Sequence, residues 1–393
     1  MEQLEVDALS CSQSLLTSMG GSDDDSQDIL SERFSVSLGP HYAPVDHLGA
    51  GAYGAVVSAE CLSDASGNPP GSQVAVKILS GAFKENTLLA RRALREVSLL
   101  RRLSHDNVIF ICDFFRLDTR WFLVTPLMAT DLGQVIESPQ PLRHAHVVFL
   151  GYQMLRGLDY LHGCGVVHRD LKPANVLVNE DCHVRLADLG MARLAREGEG
   201  SAHDPQMTEY VVSRWWRAPE VIMANSYRFS LDIWSFGCIF GEMFKRKPLF
   251  SGRDFADQLV RIVALVGKPS PEFIATRIRE AGAREFVEAL PNSEPVDWSA
   301  QLPGLTRESV RVINASLVFD AEARLTAAQL LALPVFDKLT ESEPNPTLPE
   351  ERPKRIELEW KESDINGVAD VEKLLDLELE EATKLREERL KKK

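Results

Sequence analysis

His168-Arg169-Asp170-Leu171-Lys172-Pro173-Ala174-Asn175 opens the stretch that decides how this chain folds. Asp188-Leu189-Gly190, Thr208-Glu209-Tyr210 and Arg217-Ala218-Pro219-Glu220 complete it. Asp170 has the chemistry to accept the proton of a hydroxyl, and Asn175 and Asp188 offer the hard oxygens that magnesium prefers. Any one of these motifs alone is weak evidence. Four in this order, with a glycine-rich loop and a strand lysine upstream, form a set that points to phosphoryl transfer.

Towards the N-terminus, Leu48 leads into Gly49-Ala50-Gly51-Ala52-Tyr53-Gly54, and Val56-Val57 follow as a β-run. A dinucleotide-binding fold uses the same glycine spacing, but there the loop opens a helix and an acid follows about 20 residues later. Here the strand continues and a lysine follows at position 77, so a flap over nucleotide phosphates fits better. Its glycines let backbone N–H groups approach phosphate oxygens without Cβ clashes. Ser63 to Ser72 read as a turn, and Val74-Ala75-Val76-Lys77-Ile78 as the next strand. Lys77 is placed to reach the α- and β-phosphates, and Glu96, in Leu94-Arg95-Glu96-Val97, is its expected ion-pair partner. Alone, Lys77 would read as an exposed strand residue and Glu96 as part of a solvated helix face; the downstream motifs decide for function.

Apolar spacing predicts a helix over Leu88–Leu103 and strands over Ile109–Phe115 and Trp121–Pro126. Beyond Leu127 the periodicity is helical, at Ala145–Gly163, Leu231–Phe244, Phe255–Val266 and Ala327–Leu331. The expected class is therefore α+β and bilobal, a small β-rich N-lobe followed by a larger helical C-lobe, with no internal repeat.

The net charge of −14 is unevenly placed. Residues 1–32 hold eight acids and no Lys or Arg, and residues 339–393 hold sixteen acids against eleven bases, so the region between is close to neutral. This balance argues against broad nucleic-acid binding and suits basic peptide partners. The six cysteines show no CxxC pairing or metal-ligand spacing, which reads as reduced thiols. No run is long enough to span a bilayer and the N-terminus lacks a secretory pattern, so a soluble, intracellular protein without membrane partners is expected. The Ser, Gly and Asp of residues 1–40 suggest a disordered arm, either regulatory or merely solvating.

From about Tyr42 to Lys338 the chain resembles the eukaryotic protein kinases, and within them the mitogen-activated protein kinases. Thr208-Glu209-Tyr210 has the form of that family's dual-phosphorylation lip, Ser213 to Glu220 parallels its substrate-binding segment, and Leu127 to Leu132 its hinge. The resemblance implies ATP and Mg2+ as cofactors. Leu48, the loop residues Gly49, Ala50, Gly51, Ala52, Tyr53 and Gly54, and Val56, Ala75, Thr125, Leu127, Met128 and Leu177 would hold the nucleotide. It implies that Lys172 reaches the transferred phosphate, that Ser213 keeps a hydroxyl on Asp170, and that Asp232 and Trp234 support the catalytic loop. It also implies a structural ion pair between Glu220 and Arg324. Three residues depart from the family pattern. Leu189 stands where phenylalanine is usual, Ser213 where threonine is, and Trp216 where tyrosine is.

By the same resemblance, phosphates on Thr208 and Tyr210 switch the enzyme on. Arg169, Arg193 and Arg92 or Arg95 would receive the first, and Arg214 and Arg217 the second. Preference for Ser/Thr followed by Pro is implied, with Val212 at the position that shapes the proline pocket; proline has no N–H to leave unpaired there. Expected partners are an upstream dual-specificity kinase, Ser/Thr-Pro protein substrates, phosphatases and basic-apolar docking peptides. The docking peptides would meet Glu341 and Glu343, where a generic acidic linker is the competing reading. Action in cytoplasm and nucleus follows from the same likeness. Val371–Lys393 reads as a helix with Val371, Leu374, Leu375, Ala382 and Leu385 on one face and Glu380–Lys384 and Glu387–Lys391 pairs on another. By resemblance this extension wraps back onto the small lobe. The organisation expected is an acidic arm (1–40), a kinase domain (41–338, with lobes 41–127 and 128–338) and an extension (339–393). Two alternatives remain at this level: a cyclin-dependent-kinase-like enzyme with a similar lip, and a catalytically silent scaffold.

Overall fold

The computed structural model describes residues 37–51, 54–64, 68–79, 86–195, 214–223, 228–342 and 354–391. The chain resolves into two compact units. One runs up to Ala129 and takes in Ala187–Ala192 and Glu357 onward; the other holds Thr130–Leu186 and Arg193–Ile356.

The first unit is built on a five-stranded antiparallel sheet of order β1-β2-β3-β5-β4. Its strands are β1 (Tyr42–Gly51), β2 (Gly54–Cys61), β3 (Gln73–Leu79), β4 (Asp113–Leu117) and β5 (Arg120–Pro126). Alternation along the strands sends Val57, Ala59, Val74, Val76, Ile78, Phe122 and Val124 into one core. The register then places Val56 opposite Lys77 and Ala75 opposite Thr125 on the other face. β1 begins at Tyr42, five residues before the sequence signal at His47, because Tyr42 is buried, stacks on Phe115 at 5.5 Å and donates to Asp113 at 2.7 Å. The strand expected over Ile109–Phe115 starts instead at Asp113 and runs to Leu117. Val108 and Ile109 are buried as loop residues, and burial alone carries no period of two.

Helix α1 (Thr87–Leu100) starts at Asn86, whose side chain accepts from the N–H groups of Leu88 and Leu89. Parts of the segment from residue 360 to residue 378 pack against this helix. Trp360 donates to the Ser98 hydroxyl at 3.2 Å, Arg91 donates to the Ile365 carbonyl, and Glu362 pairs with Arg95. The C-terminal helix Val368–Lys391 buries Val371 and Leu375 as expected, together with an acid, Glu378. Glu378 meets Arg101 at 2.5 Å and Arg102 at 3.0 Å. Lys384 pairs with Glu381 at 2.9 Å rather than with Glu380, so the i,i+3 partner takes the bond expected at i,i+4. Leu385 and the Glu387–Lys391 pair lie outside the residues whose side chains are described.

The second unit is mainly helical. After a short strand β6 (Thr130–Asp131) come α2 (Leu132–Glu137) and α3 (His144–Gly163), then β7 (Val166–Val167), β8 (Val176–Val178), β9 (Val184–Leu186) and β10 (Arg193–Leu194). α4 (Pro219–Ile222), α5 (Ser230–Lys245) and α6 (Phe255–Val266) follow, then the insert helices α7 (Pro271–Arg277), α8 (Ala281–Ala289) and α9 (Trp298–Gln301). The last are α10 (Arg307–Ser316), α11 (Ala327–Leu331) and α12 (Asp337–Ser342). α3 and α5 are buried over most of their surface, which is why their sequences are apolar nearly all round. Gly151 and Gly237 make their packing possible: a Cβ at Gly151 would lie 2.8 Å from the Phe240 ring, and one at Gly237 would lie 2.7 Å from Ser316. None of the five described cysteines forms a disulfide. Among the described residues no helix is long and apolar enough to cross a membrane.

Candidate active site

In the first unit the β1–β2 hairpin carries the glycine-rich loop, with Gly51 paired to Gly54. Gly54 has φ +144, a conformation that side chains rarely adopt. Among the described residues, and its two chain neighbours aside, no atom lies within 4 Å of where a Cβ on Gly49 would sit, so these residues do not demand glycine there. Close approach of a ligand would. Ala52 and Tyr53 lie outside the described residues. Val56, Ala75, Lys77 and Thr125 share one face of the sheet, and Leu127 and Met128 follow the last strand, half-buried. Leu48 is exposed.

Lys77 Nζ donates to Glu96 Oε2 at 2.7 Å, and both side chains are largely buried. Burial alone would lower the lysine pKa. The carboxylates of Glu96 and Asp188 and the hydrogen bond outweigh it, so Lys77 is held above its ordinary value and stays charged. Asp188 has left-handed backbone angles, φ 62 and ψ 72, at the start of a tight turn over Leu189–Met191. Leu189 is fully buried and its turn packs against α1, so leucine fills the position usually held by phenylalanine. Arg95 donates to the Gly190 carbonyl at 2.5 Å and also pairs with Glu362. This second attachment was not foreseen for a residue expected to receive a phosphate. Arg92, the other expected receptor on α1, is buried.

In the second unit the loop after β7 is fixed from below. The fully buried Asp232 on α5 accepts from the backbone N–H groups of His168 and Arg169, each at 2.9 Å, and from His162 Nε2 at 2.9 Å. Burial would raise the Asp232 carboxyl, but the hydrogen bond and charge of His162, with His168 and the Arg169 N–H, win and hold it below the usual range. Arg169 can then keep φ +71. Asp170 Oδ2 accepts from Lys172 Nζ at 2.7 Å and from Asn175 Nδ2 at 3.2 Å. Asn175 Nδ2 also donates to the Asp170 carbonyl at 2.8 Å, leaving its side-chain oxygen for another partner. Leu177 is half-buried on β8, opposite Asp131 and Arg185. Arg193 lies on β10 opposite Val167.

The wall beside Asp170 is a tight turn over Arg214–Trp216. Arg214 donates to the Arg253 carbonyl at 2.5 Å, Trp215 to the Gly252 carbonyl at 3.1 Å, and Trp216 to Glu242 Oε2 at 2.6 Å. Arg214 and Arg217 both lie over the Phe255 ring. Burial lowers the Arg217 pKa against the pull of Asp170. Glu220 and Arg324 form the expected buried pair, bidentate at 2.7 and 2.8 Å. Glu341 is exposed on α12. Thr208, Tyr210, Val212, Ser213, Glu343 and residues 1–36 lie outside the described residues.

The residues present fit magnesium. Among the described residues Asp188 Oδ1 is buried without a hydrogen-bond partner, a cost of about 1–3 kcal/mol that a bound cation would remove. Carboxylate and amide oxygens, such as Asp188 and Asn175 each carry, are hard donors of the kind this ion takes. His162 and Glu242 were missed in the sequence. Each acts across a separation, 70 residues for His162–Asp232 and 26 for Trp216–Glu242, that local patterning does not register.

Residues 42–336 match the protein kinase domain family. The chain is 42% identical over 311 residues to extracellular signal-regulated kinase 1 of Dictyostelium discoideum, covering 78% of this chain and 56% of that protein. It is 43% identical over 312 residues to mitogen-activated protein kinase 12 of Rattus norvegicus, covering 78% of this chain and 80% of the relative. Against mitogen-activated protein kinase 13 of Bos taurus it is 40% identical over 334 residues, covering 82% and 86%. The chain belongs to the protein kinases and, among them, to the mitogen-activated protein kinases. Its class of activity is thus ATP-dependent phosphorylation of serine and threonine in proteins.

Proposed function

We propose that this chain transfers the γ-phosphoryl group of ATP to Ser or Thr hydroxyls that precede proline, with Asp170 orienting the acceptor. The carrying observation is the Asp170 carboxylate, bonded to Lys172 and Asn175 in a loop pinned by the buried Asp232. Such preorganisation suits a reaction that is mainly positioning and charge neutralisation. Lys77, kept charged by Glu96, neutralises the α- and β-phosphates, and Lys172 the group in transit. Leu48, Val56, Ala75, Thr125, Leu127, Met128 and Leu177 hold the base, and the glycine loop covers the phosphates. Asn175 and Asp188 would hold Mg2+, which would supply neutralisation of the phosphate charge.

Control resides in Thr208 and Tyr210. A phosphate on each adds about −1.5 to −2 charges at neutral pH, for which Arg92, Arg95, Arg169, Arg193, Arg214 and Arg217 are the receptors. The acids at Glu341 and Glu343 offer basic-apolar segments of activators, substrates and phosphatases a docking point. The test is incorporation of radiolabel from ATP into a basic protein substrate, before and after treatment with a dual-specificity activating kinase, against Thr208→Ala/Tyr210→Phe. Steep activation of the wild type alone is expected. Activity indifferent to the lip would remove the switch. Silence together with absent ATP–Mg2+ binding would remove the enzyme.

A further inference from the structure

We propose that Ser138 is a site of phosphorylation apart from the lip, modified by a second copy of this chain, with Arg246 as the receptor of the phosphate. The proposal rests on the phosphotransfer reading given above. Ser138 Oγ attacks the γ-phosphorus of ATP held by the second copy. The bond from that phosphorus to the bridging oxygen breaks, ADP leaves with the electron pair, and the hydroxyl proton passes to Asp170 of that copy.

The Ser and Thr residues that precede proline in this sequence are Thr125, Ser138 and Ser270. The fold separates them. Thr125 lies in β5, paired opposite Ala75, and cannot be presented without leaving the sheet. Ser270 caps the helix that starts at Pro271, so the residues after it are coiled, and its hydroxyl accepts from the Phe273 N–H at 3.1 Å. Ser138 stands at the end of α2 with φ −56 and ψ 142, the extended form that a following proline favours. From Ser138 to Arg143 the chain forms neither helix nor strand, with Pro139 and Pro141 exposed and Ser138 half-buried. Such an uncoiled stretch is what a reaction governed by positioning needs at its acceptor. The Ser138 hydroxyl accepts from the Gln140 N–H at 3.2 Å, and among the described residues it donates to none.

A receptor already touches this residue. Arg246, at the left-handed end of α5 (φ 58), donates from Nη2 to the Ser138 carbonyl and, at 3.1 Å, to the Val135 carbonyl. Both carbonyls lie at the end of α2, where a helix leaves such groups without partners of its own. Among the described residues Nε and Nη1 of Arg246 make no hydrogen bond, so their N–H groups remain for an anion. Lys245 and Lys247 flank Arg246 and are exposed, while Glu137, next to Ser138, is the opposing charge. A phosphate on Ser138 would bring about −1.5 to −2 charges and three acceptor oxygens to this basic run. It would sit on the residue whose carbonyl the guanidinium already holds, and a guanidinium can take two of its oxygens at once.

The test mixes the activated full chain with ATP, Mg2+, a Ser-Pro peptide and an affinity-tagged acceptor, the Thr208→Ala/Tyr210→Phe chain, whose lip can take no phosphate. Mass spectrometry of the acceptor should find phosphate on Ser138 and little on Ser270. Pro139→Ala in the acceptor should slow labelling of Ser138 about ten-fold, the effect of about one unpaired N–H, while the peptide is phosphorylated as before. The 31P resonance of the labelled acceptor should titrate with a midpoint of about pH 5, below the value of about 6 usual for phosphoserine, and Arg246→Gln should restore about 6. Phosphorylation of the peptide without phosphate on Ser138 would overturn the proposal. So would equal labelling of Ser270, labelling of the acceptor incubated alone, or a rate indifferent to Pro139→Ala. A midpoint unmoved by Arg246→Gln would remove the receptor and the proposal with it. If Arg246→Gln does not fold, an unsubstituted acceptor that titrates at or above about pH 6 is the overturning result. An activated chain that phosphorylates neither peptide nor acceptor would instead overturn the phosphotransfer reading, and this proposal with it.

Discussion

Replacing Glu378 by alanine should loosen helix α1 without touching the nucleotide site directly. The carboxylate is 94% buried by side-chain exposure and serves two guanidinium groups, Arg101 at 2.5 Å and Arg102 at 3.0 Å, which are themselves only 11% and 20% exposed. Removing one partner from a buried pair costs roughly 3–5 kcal/mol, because the remaining charge keeps its desolvation penalty. Arg102 is one-fifth exposed and keeps a bond to the Ser98 carbonyl at 2.8 Å, so partial rehydration lowers the expected loss to about 2–3 kcal/mol. That loss falls on the opening of α1 and the C-terminal helix. Amide hydrogens of Leu94 to Leu100 should therefore exchange about 30- to 160-fold faster in Glu378→Ala, at 1.36 kcal/mol per factor of ten. Glu378→Gln, which keeps one acceptor, should give an intermediate rate. The assay is amide exchange read by mass spectrometry on the purified chain. An α1 rate within three-fold of wild type would refute the reasoning, since the arginines would then be adequately hydrated without their acid.

Lys77→Ala and Asp188→Ala should each abolish turnover with the circular dichroism spectrum unchanged; near-wild-type activity in either would count heavily against the site. Arg324→Ala should cost about 3–5 kcal/mol in urea unfolding, because it strands Glu220 in a buried site; a shift under about 1 kcal/mol would show that water enters. Glu242 gives a signed pH dependence of stability. Its carboxyl is raised from 4.5 to about 7, so between those values the folded chain holds a proton that the unfolded chain has lost. Stability must therefore fall as pH rises through that window, by up to about 3 kcal/mol. Glu242→Gln should gain on wild type between pH 5 and 8, and a constant difference across that range would contradict the raised value.

The catalytic stretch was legible because its motifs are contiguous: Asp170, Lys172 and Asn175 sit within six residues, and their mutual hydrogen bonds follow from that spacing. Lys77 and Glu96 were legible as a strand lysine and a helix acid, and the structure brings them together at 2.7 Å. Less accessible was anything resting on long-range complementarity. Val108 and Ile109 are as apolar as strand residues but bury in a loop, which moved the real strand to Asp113–Leu117. Glu378 sits on the apolar face of its helix, where a sequence reading sees an interruption instead of an anchor. Only the arginines nearly 280 residues earlier explain it. The apolar face read at Val371, Leu374 and Leu375 pointed to docking of this segment, whereas Trp360, a lone aromatic outside that periodicity, was not singled out.

The attachment of residues 360–378 to α1 also bears on the order in which the chain can mature during synthesis. The sheet strands and α1 emerge early, yet Ser98 and Arg101 wait for partners 262 and 277 residues later. At about 5–20 residues per second the interval is roughly 15–55 s. Throughout it, a helix carrying three arginines, with two more just past its end, and an apolar stripe is without the surface that finally covers it. The nascent protein thus has a long-lived, sticky intermediate written into its topology. Loss of residues 360–393 by a premature stop would make that intermediate permanent, leaving a substrate for chaperones and proteases even though every catalytic residue had been made.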